Sequence, residues 1–225
     1  MSDRVIAVTG GHGVLGRAVV EAALADGLKV AVIDHASGLP VPDGVLELGG
    51  VDLTDPAAAA RAVDAVGDRF GRLDALLNIA GGFVWQTTDD AEPAWARMFA
   101  LNLTTALHAS RAALPWLKRS SEGRIVNVGA NAALKSAAGM GAYAASKAGV
   151  HRLTESLAEE LKPTSVTVNA VLPSVLDTAQ NRKDMPDVDP KIWVAPADLA
   201  RVILFLASPE SRAITGALIP VTGRV

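Results

Sequence analysis

A tyrosine and a lysine four residues apart, Tyr143 and Lys147 in GAYAASKAGVHRL, fall on one face of a helix and can address one ligand. A free phenol titrates near pH ~10, and a neighbouring cation favours the phenolate, so the pair is expected to bring proton transfer toward neutral pH. That is general acid-base chemistry. Taken alone, the spacing is better read as a half-buried tyrosine beside an exposed lysine, and only the rest of the chain can overturn that reading.

A second constellation opens the chain. The first apolar run ends in Thr9-Gly10-Gly11-His12-Gly13-Val14-Leu15-Gly16 and passes directly into a helical pattern. At a first strand-to-helix junction, glycines let backbone amides approach a pyrophosphate. The next apolar run, KVAVID, ends at Asp34, 24 residues after Gly10. A carboxylate there accepts hydrogen bonds from both adenosine ribose hydroxyls. It also repels a 2′-phosphate, by on the order of 4 kcal/mol at about 4 Å for an effective dielectric of about 20. NAD(H) is therefore expected over NADP(H), with His12 and His35 too weak as cations to replace an arginine fork.

Short β-branched runs alternate with alanine-rich helical stretches, the pattern of a parallel sheet covered on both faces. Strands are expected near 4–9, 29–33, 45–48, 73–78, 124–128, 165–171 and 217–221, and helices at 14–26, 55–70, 92–118, 140–162 and 196–207. This is a single-domain, Rossmann-type, doubly wound α/β fold over 1–225. Between KVAVID and GVLEL, the segment HASGLPVPDG has two prolines, two glycines and no helical period, so no helix is expected there. The irregular segment 174–195, rich in Pro, Asp and Lys, reads as a surface excursion or lid.

With 225 residues, half of them apolar, the chain can bury one substantial core. It has no cysteine, and its four histidines (His12, His35, His108, His151) lack metal-ligand spacing, so no metal site is expected. A net charge of -3 without basic runs argues against nucleic acid as a partner. The first strand begins almost at once, and no apolar stretch approaches the ~20 residues of a membrane span. A cytoplasmic protein acting on a small molecule is the expectation, with no membrane partner.

Together with Asp52-Leu53-Thr54, Asn78-Ile79-Ala80-Gly81 and Asn102, these motifs resemble the short-chain dehydrogenase/reductase family over nearly the whole chain. The resemblance implies that Tyr143 transfers the proton, Lys147 binds the nicotinamide ribose and Asn102 holds a water in a relay. It implies further that Asp52 meets the adenine beside Leu53, and that Asn78, Ala80 and Gly81 line the adenine-ribose side. Pro173-Ser174-Val175-Leu176-Asp177-Thr178 resembles the family's P-G-x-x-x-T segment, implying that Pro173 binds the cofactor and that the Val175 backbone and the Thr178 hydroxyl contact its carboxamide. A helix-capping role for Thr178 is compatible with this.

Thirteen residues before the tyrosine, where the family usually has a serine, stands Ala130. One hydrogen bond to a developing oxyanion is thereby missing. This feature, the absent helix and VLPSVLDTAQNRKDMP resemble the dihydropteridine reductase branch, implying NADH-dependent reduction of a quinonoid dihydropterin or a similar conjugated imine or carbonyl. An alcohol or ketone dehydrogenase of the same family, with Asn131 or a water replacing the serine, and a non-catalytic NAD(H) sensor stand as alternatives. Phe83, Trp85, Met185 and Trp193 are candidate pocket walls or ordinary packing. Trp95, Trp116 and His108 are assigned to packing or an interface, and the resemblance implies a homodimer or homotetramer.

Overall fold

The apolar runs become seven strands of one parallel sheet in the computed structural model, which describes residues 3–89 and 93–225. The strands are β1 (Val5–Thr9), β2 (Lys29–Ile33), β3 (Leu46–Leu48), β4 (Ala75–Asn78), β5 (Arg124–Val128), β6 (Thr167–Pro173) and β7 (Leu218–Val221), in the spatial order β3-β2-β1-β4-β5-β6-β7. The helices are α1 (Val14–Ala25), α2 (Pro56–Phe70), α3 (Pro93–Met98), α4 (Thr105–Leu117), α5 (Gly141–Glu160), α6 (Ala179–Asp184) and α7 (Pro196–Leu206).

Alternation along the strands divides the core. Val5, Ala7, Ala31, Ile33, Leu76 and Ile125 pack on one face against α2, α4 and α5. Ile6, Val8, Val30, Val32, Leu77 and Val126 pack on the other against α1 and α7. Every residue of β1 and β4 is buried, as a sheet covered on both faces requires. Strand order reverses between β1, which continues to β2, and β4, which continues to β5. A crevice opens at such a switch point beyond the carboxyl ends of the strands.

One expectation needs revision. The expected helix 92–118 is broken: α3 and α4 are separated by a π-helical segment, Phe99–Thr104, and its expected first residue lies outside the described residues. The irregular segment 174–195 contains α6 and a 3-10 turn at Pro190–Ile192. Thr178 caps α6 by accepting the Asn181 N–H at 3.1 Å, and Asp177 forms a two-bond pair with Arg182. The base of this excursion is pinned, since Val194 N–H donates to Val175 O and Asp177 N–H to Val194 O, each at 2.9 Å. No helix forms between β2 and β3, in line with the prolines and glycines of that connection.

Candidate active site

The turn from β1 into α1 is possible only because its corners lack side chains. Gly10 has φ +67°, and a Cβ there would sit 2.8 Å from the Ala80 Cα, while one on Gly16 would collide with the Gly10 carbonyl. The turn therefore lies directly against the loop after β4. Thr9 joins them, its hydroxyl accepting the N–H groups of Ile79 (3.0 Å) and Ala80 (3.1 Å).

From this turn a cavity of about 780 Å³ runs across the sheet to α5. Gly10, Gly13, Val14, Leu15 and Gly16 line one end; Asp34, His35, Asp52 and Leu53 line the flank toward β2. Ala80, Gly81, Phe83, Tyr143 and Lys147 line the other end. Asp34 is prepared as an acceptor: one carboxylate oxygen takes the His12 N–H at 2.9 Å and the other the Ala36 N–H at 3.0 Å. His12 turns its own ring to Glu47, with Nε2 3.3 Å from Oε1. The Asp52 carboxylate is fixed by the Thr54 hydroxyl and N–H, which hold it below the usual carboxylate range.

Tyr143 and Lys147 meet at the far end. Phe83, itself 53% exposed, sets its ring edge-on to Tyr143 at a centroid distance of 5.1 Å. Burial pushes the phenol up to about 12 and the Lys147 ammonium down to about 8. The expected lowering of the phenol by its neighbouring cation is thus reversed. The reason is that desolvation disfavours both charged forms, while Lys147, 5% exposed, directs its ammonium to the Val128 carbonyl at 2.7 Å.

Asn102 reaches this end from the π-helical segment, but as a clamp. Its Oδ1 accepts the Gly82 N–H at 2.9 Å, and its Nδ2 donates to Gly82 O (3.1 Å) and Ser146 Oγ (3.0 Å). Ser146 donates in turn to the Tyr143 carbonyl at 2.7 Å. Asn102 thereby ties the loop after β4 to the helix that carries the tyrosine.

Several expected site residues lie outside the cavity wall. The Asn78 side chain is buried, donating to Ser110 Oγ at 2.9 Å and Asn127 Oδ1 at 2.8 Å, so it couples α4 to the sheet. After β6 the wall is formed by Leu176, with Pro173, Val175 and Thr178 beside it. Trp85 lies against Gly139, Asn131 opens a 3-10 turn, and Met185 ends α6, all away from the lining. Trp193 is buried in the base of the excursion. Ala130 is 2% exposed, and its N–H donates to His151 Nε2 at 3.3 Å.

His151 is the neighbour that motif reading overlooked. Tyr143, Lys147 and His151 recur every four residues on one helix face, and this spacing is the signal that identifies it. Thr54, from the Asp52-Leu53-Thr54 motif, also lines the cavity, as do Val51, Leu101, Thr105 and Val128, which no sequence motif marks.

A family model described as short chain dehydrogenase matches residues 4–189. The chain is 33% identical to 2-(S)-hydroxypropyl-CoM dehydrogenase 3 of Xanthobacter autotrophicus, over 99% of this chain and 96% of that protein. It is 34% identical to the 3-oxoacyl-[acyl-carrier-protein] reductase MabA of Mycobacterium bovis, over 98% and 92% respectively. Its fold superposes on an NAD+-bound xylitol dehydrogenase with a TM-score of 0.87, at 25% identity, over 99% of this chain and 98% of that one. A glycine turn, a cavity across the switch point and a Tyr-x-x-x-Lys helix at its end thus coincide with this match, and the chain belongs to the short-chain dehydrogenase family of oxidoreductases.

Proposed function

We propose that the chain uses NAD(H) in preference to NADP(H) to reduce a conjugated imine or carbonyl already activated for hydride addition, with a quinonoid dihydropterin as the model substrate. Members of the family work with a nicotinamide cofactor, and the residues present here suit one. The glycine turn leaves backbone room for a pyrophosphate, and Asp34 has lone pairs left for ribose hydroxyls beyond its two backbone bonds. When bound, the nicotinamide supplies the hydride. Lys147, held on the Val128 carbonyl, would bind the nicotinamide ribose with its remaining N–H groups, and Tyr143, protonated at neutral pH, would donate the proton at its hydroxyl. Asn102 keeps both in register by holding Gly82 and Ser146.

Ala130 carries the substrate reading. Its side chain has no hydroxyl, and its N–H is already given to His151, so position 130 offers no donor to a developing oxyanion. A conjugated acceptor has the least need of one. The names of the relatives, a hydroxypropyl dehydrogenase and a 3-oxoacyl reductase, favour a second reading, an alcohol or ketone dehydrogenase. An NADH-oxidation screen with a quinonoid dihydropterin, quinones and small ketones separates the two. The wild type should favour the conjugated acceptors, and Ala130→Ser should raise ketone kcat/KM more than pterin kcat/KM. One oxyanion donor contributes about 2.7–4 kcal/mol at most. Efficient ketone turnover without pterin activity would discard the conjugated-acceptor reading.

The same proposal includes a substrate lid at 174–195 and a homodimer or homotetramer. Trp95, Phe99 and Leu107, exposed along α3, the π-helical segment and α4, support the assembly.

A further inference from the structure

The carboxyl end of β5 is gripped twice by α5, through side chains one helical turn apart. Lys147 Nζ donates to Val128 O at 2.7 Å, and Ala130 N–H donates to His151 Nε2 at 3.3 Å. The His151 ring is 2% exposed and fills the space a side chain at 129 would need. A Cβ on Gly129 would lie 2.5 Å from its Nε2 and 2.7 Å from its Cδ2. Gly129 and His151 therefore fit as a pair, and a serine at 129 would displace the ring.

We propose that His151 is a positioning residue for Tyr143 and Lys147: by accepting the Ala130 N–H it fixes Val128–Ala130, and with them the carbonyl on which the Lys147 ammonium rests. This rests on the catalytic reading of that pair. The acceptor at Nε2 exists only while the proton sits on Nδ1, and a second proton converts both nitrogens to donors. The charges acting on the ring are those of Arg152 and Lys147, on its own helix; β5 and β6 bring Gly129 and Leu172 here, neither of which titrates. Burial first, then those two cations, hold the imidazole below its ordinary 6.5. The grip thus persists at neutral pH and opens in acid.

Wild type, His151→Gln and His151→Leu are compared by hydrogen-exchange protection of residues 128–130 between about pH 5 and 8, and by kcat across that range with an acceptor that turns over. Glutamine places an acceptor at the reach of Nε2 and does not titrate. It should keep the protection, keep kcat within about twofold and abolish the acid limb of kcat. Leucine should lose Ala130 protection and lower kcat about tenfold at neutral pH, with KM for NADH little changed. Three results overturn the proposal: an unaltered acid limb in His151→Gln, wild-type protection and kcat in His151→Leu, or equal losses in both. Should the leucine variant fail to fold, the glutamine profile decides alone. If no acceptor is reduced, the catalytic reading fails, whereas exchange at Ala130 still reports whether His151 holds the strand end.

Discussion

At the scale of single residues, burial sets the protonation states that the proposed chemistry needs. Tyr143, raised to about 12, is a protonated phenol at neutral pH and suits donation to a reduced product. Tyr143→Phe should retain folding and NADH affinity while kcat falls by ~10²–10⁴, toward the lower figure for an activated acceptor. Lys147 makes a separate prediction about stability. Its folded value of about 8 lies below the ordinary 10.5, so between them the unfolded chain binds more protons and stability rises with pH. Lys147→Met should flatten that rise between pH 8 and 10.5, read from urea midpoints, with Tyr143 acting in the opposite sense above 10. Asp34 decides the cofactor in the proposed reading. Wild type should bind NADH more tightly than NADPH, and Asp34→Ala should narrow the gap in equilibrium titrations.

At the scale of elements, the π-helical turn matters because it delivers Asn102 to the loop after β4. The Asn102 amide is buried at that turn, and π turns are frequent at functional sites. A Cβ on Gly81 would lie 2.6 Å from Asn102 Oδ1, so the loop and the clamp are fitted to each other. Asn102→Leu leaves the Gly82 N–H without an acceptor and removes the donor to Gly82 O and Ser146 Oγ. It should cost about 1–3 kcal/mol in urea denaturation and weaken NADH binding. An unchanged midpoint with impaired turnover would instead point to a role confined to the proton relay.

At the scale of the whole molecule, the two ends of the sheet do different work. The carboxyl ends open onto the cavity, while the amino end is closed by Asp74, 1% exposed just before β4. Its carboxylate accepts from Val5 N–H (2.9 Å), Arg72 Nη2 (2.7 Å) and Ser120 Oγ (2.7 Å). Burial opposes the charge, but these bonds outweigh it and leave the group below its ordinary 3.8. The stabilisation is therefore complete above that value and is lost as pH falls through the lower folded one. Asp74→Asn should cost about 1–3 kcal/mol at neutral pH and reduce acid sensitivity, with NADH affinity unchanged. A matching loss of NADH affinity would show that the two ends are coupled.

The chain order of β and α units, the glycine turn, Asp34 and the Tyr-x-x-x-Lys helix were legible from residue types alone, because each depends on local periodicity or on a side chain's absence. The missing helix between β2 and β3 was legible for the same reason. What lay beyond reach depends on partners distant in the chain. Asn78 reads as a cavity residue until Ser110 and Asn127 come within hydrogen-bond distance of it. Asn102 reads as part of a continuous helix until the π turn aims it at Gly82. The rise of Tyr143 reverses the expectation drawn from its neighbour, because spacing reports the nearby cation and only packing reports the lost water. His151 stands in the same stripe as Tyr143 and Lys147, yet its grip on Ala130 exists only once β5 is laid against α5.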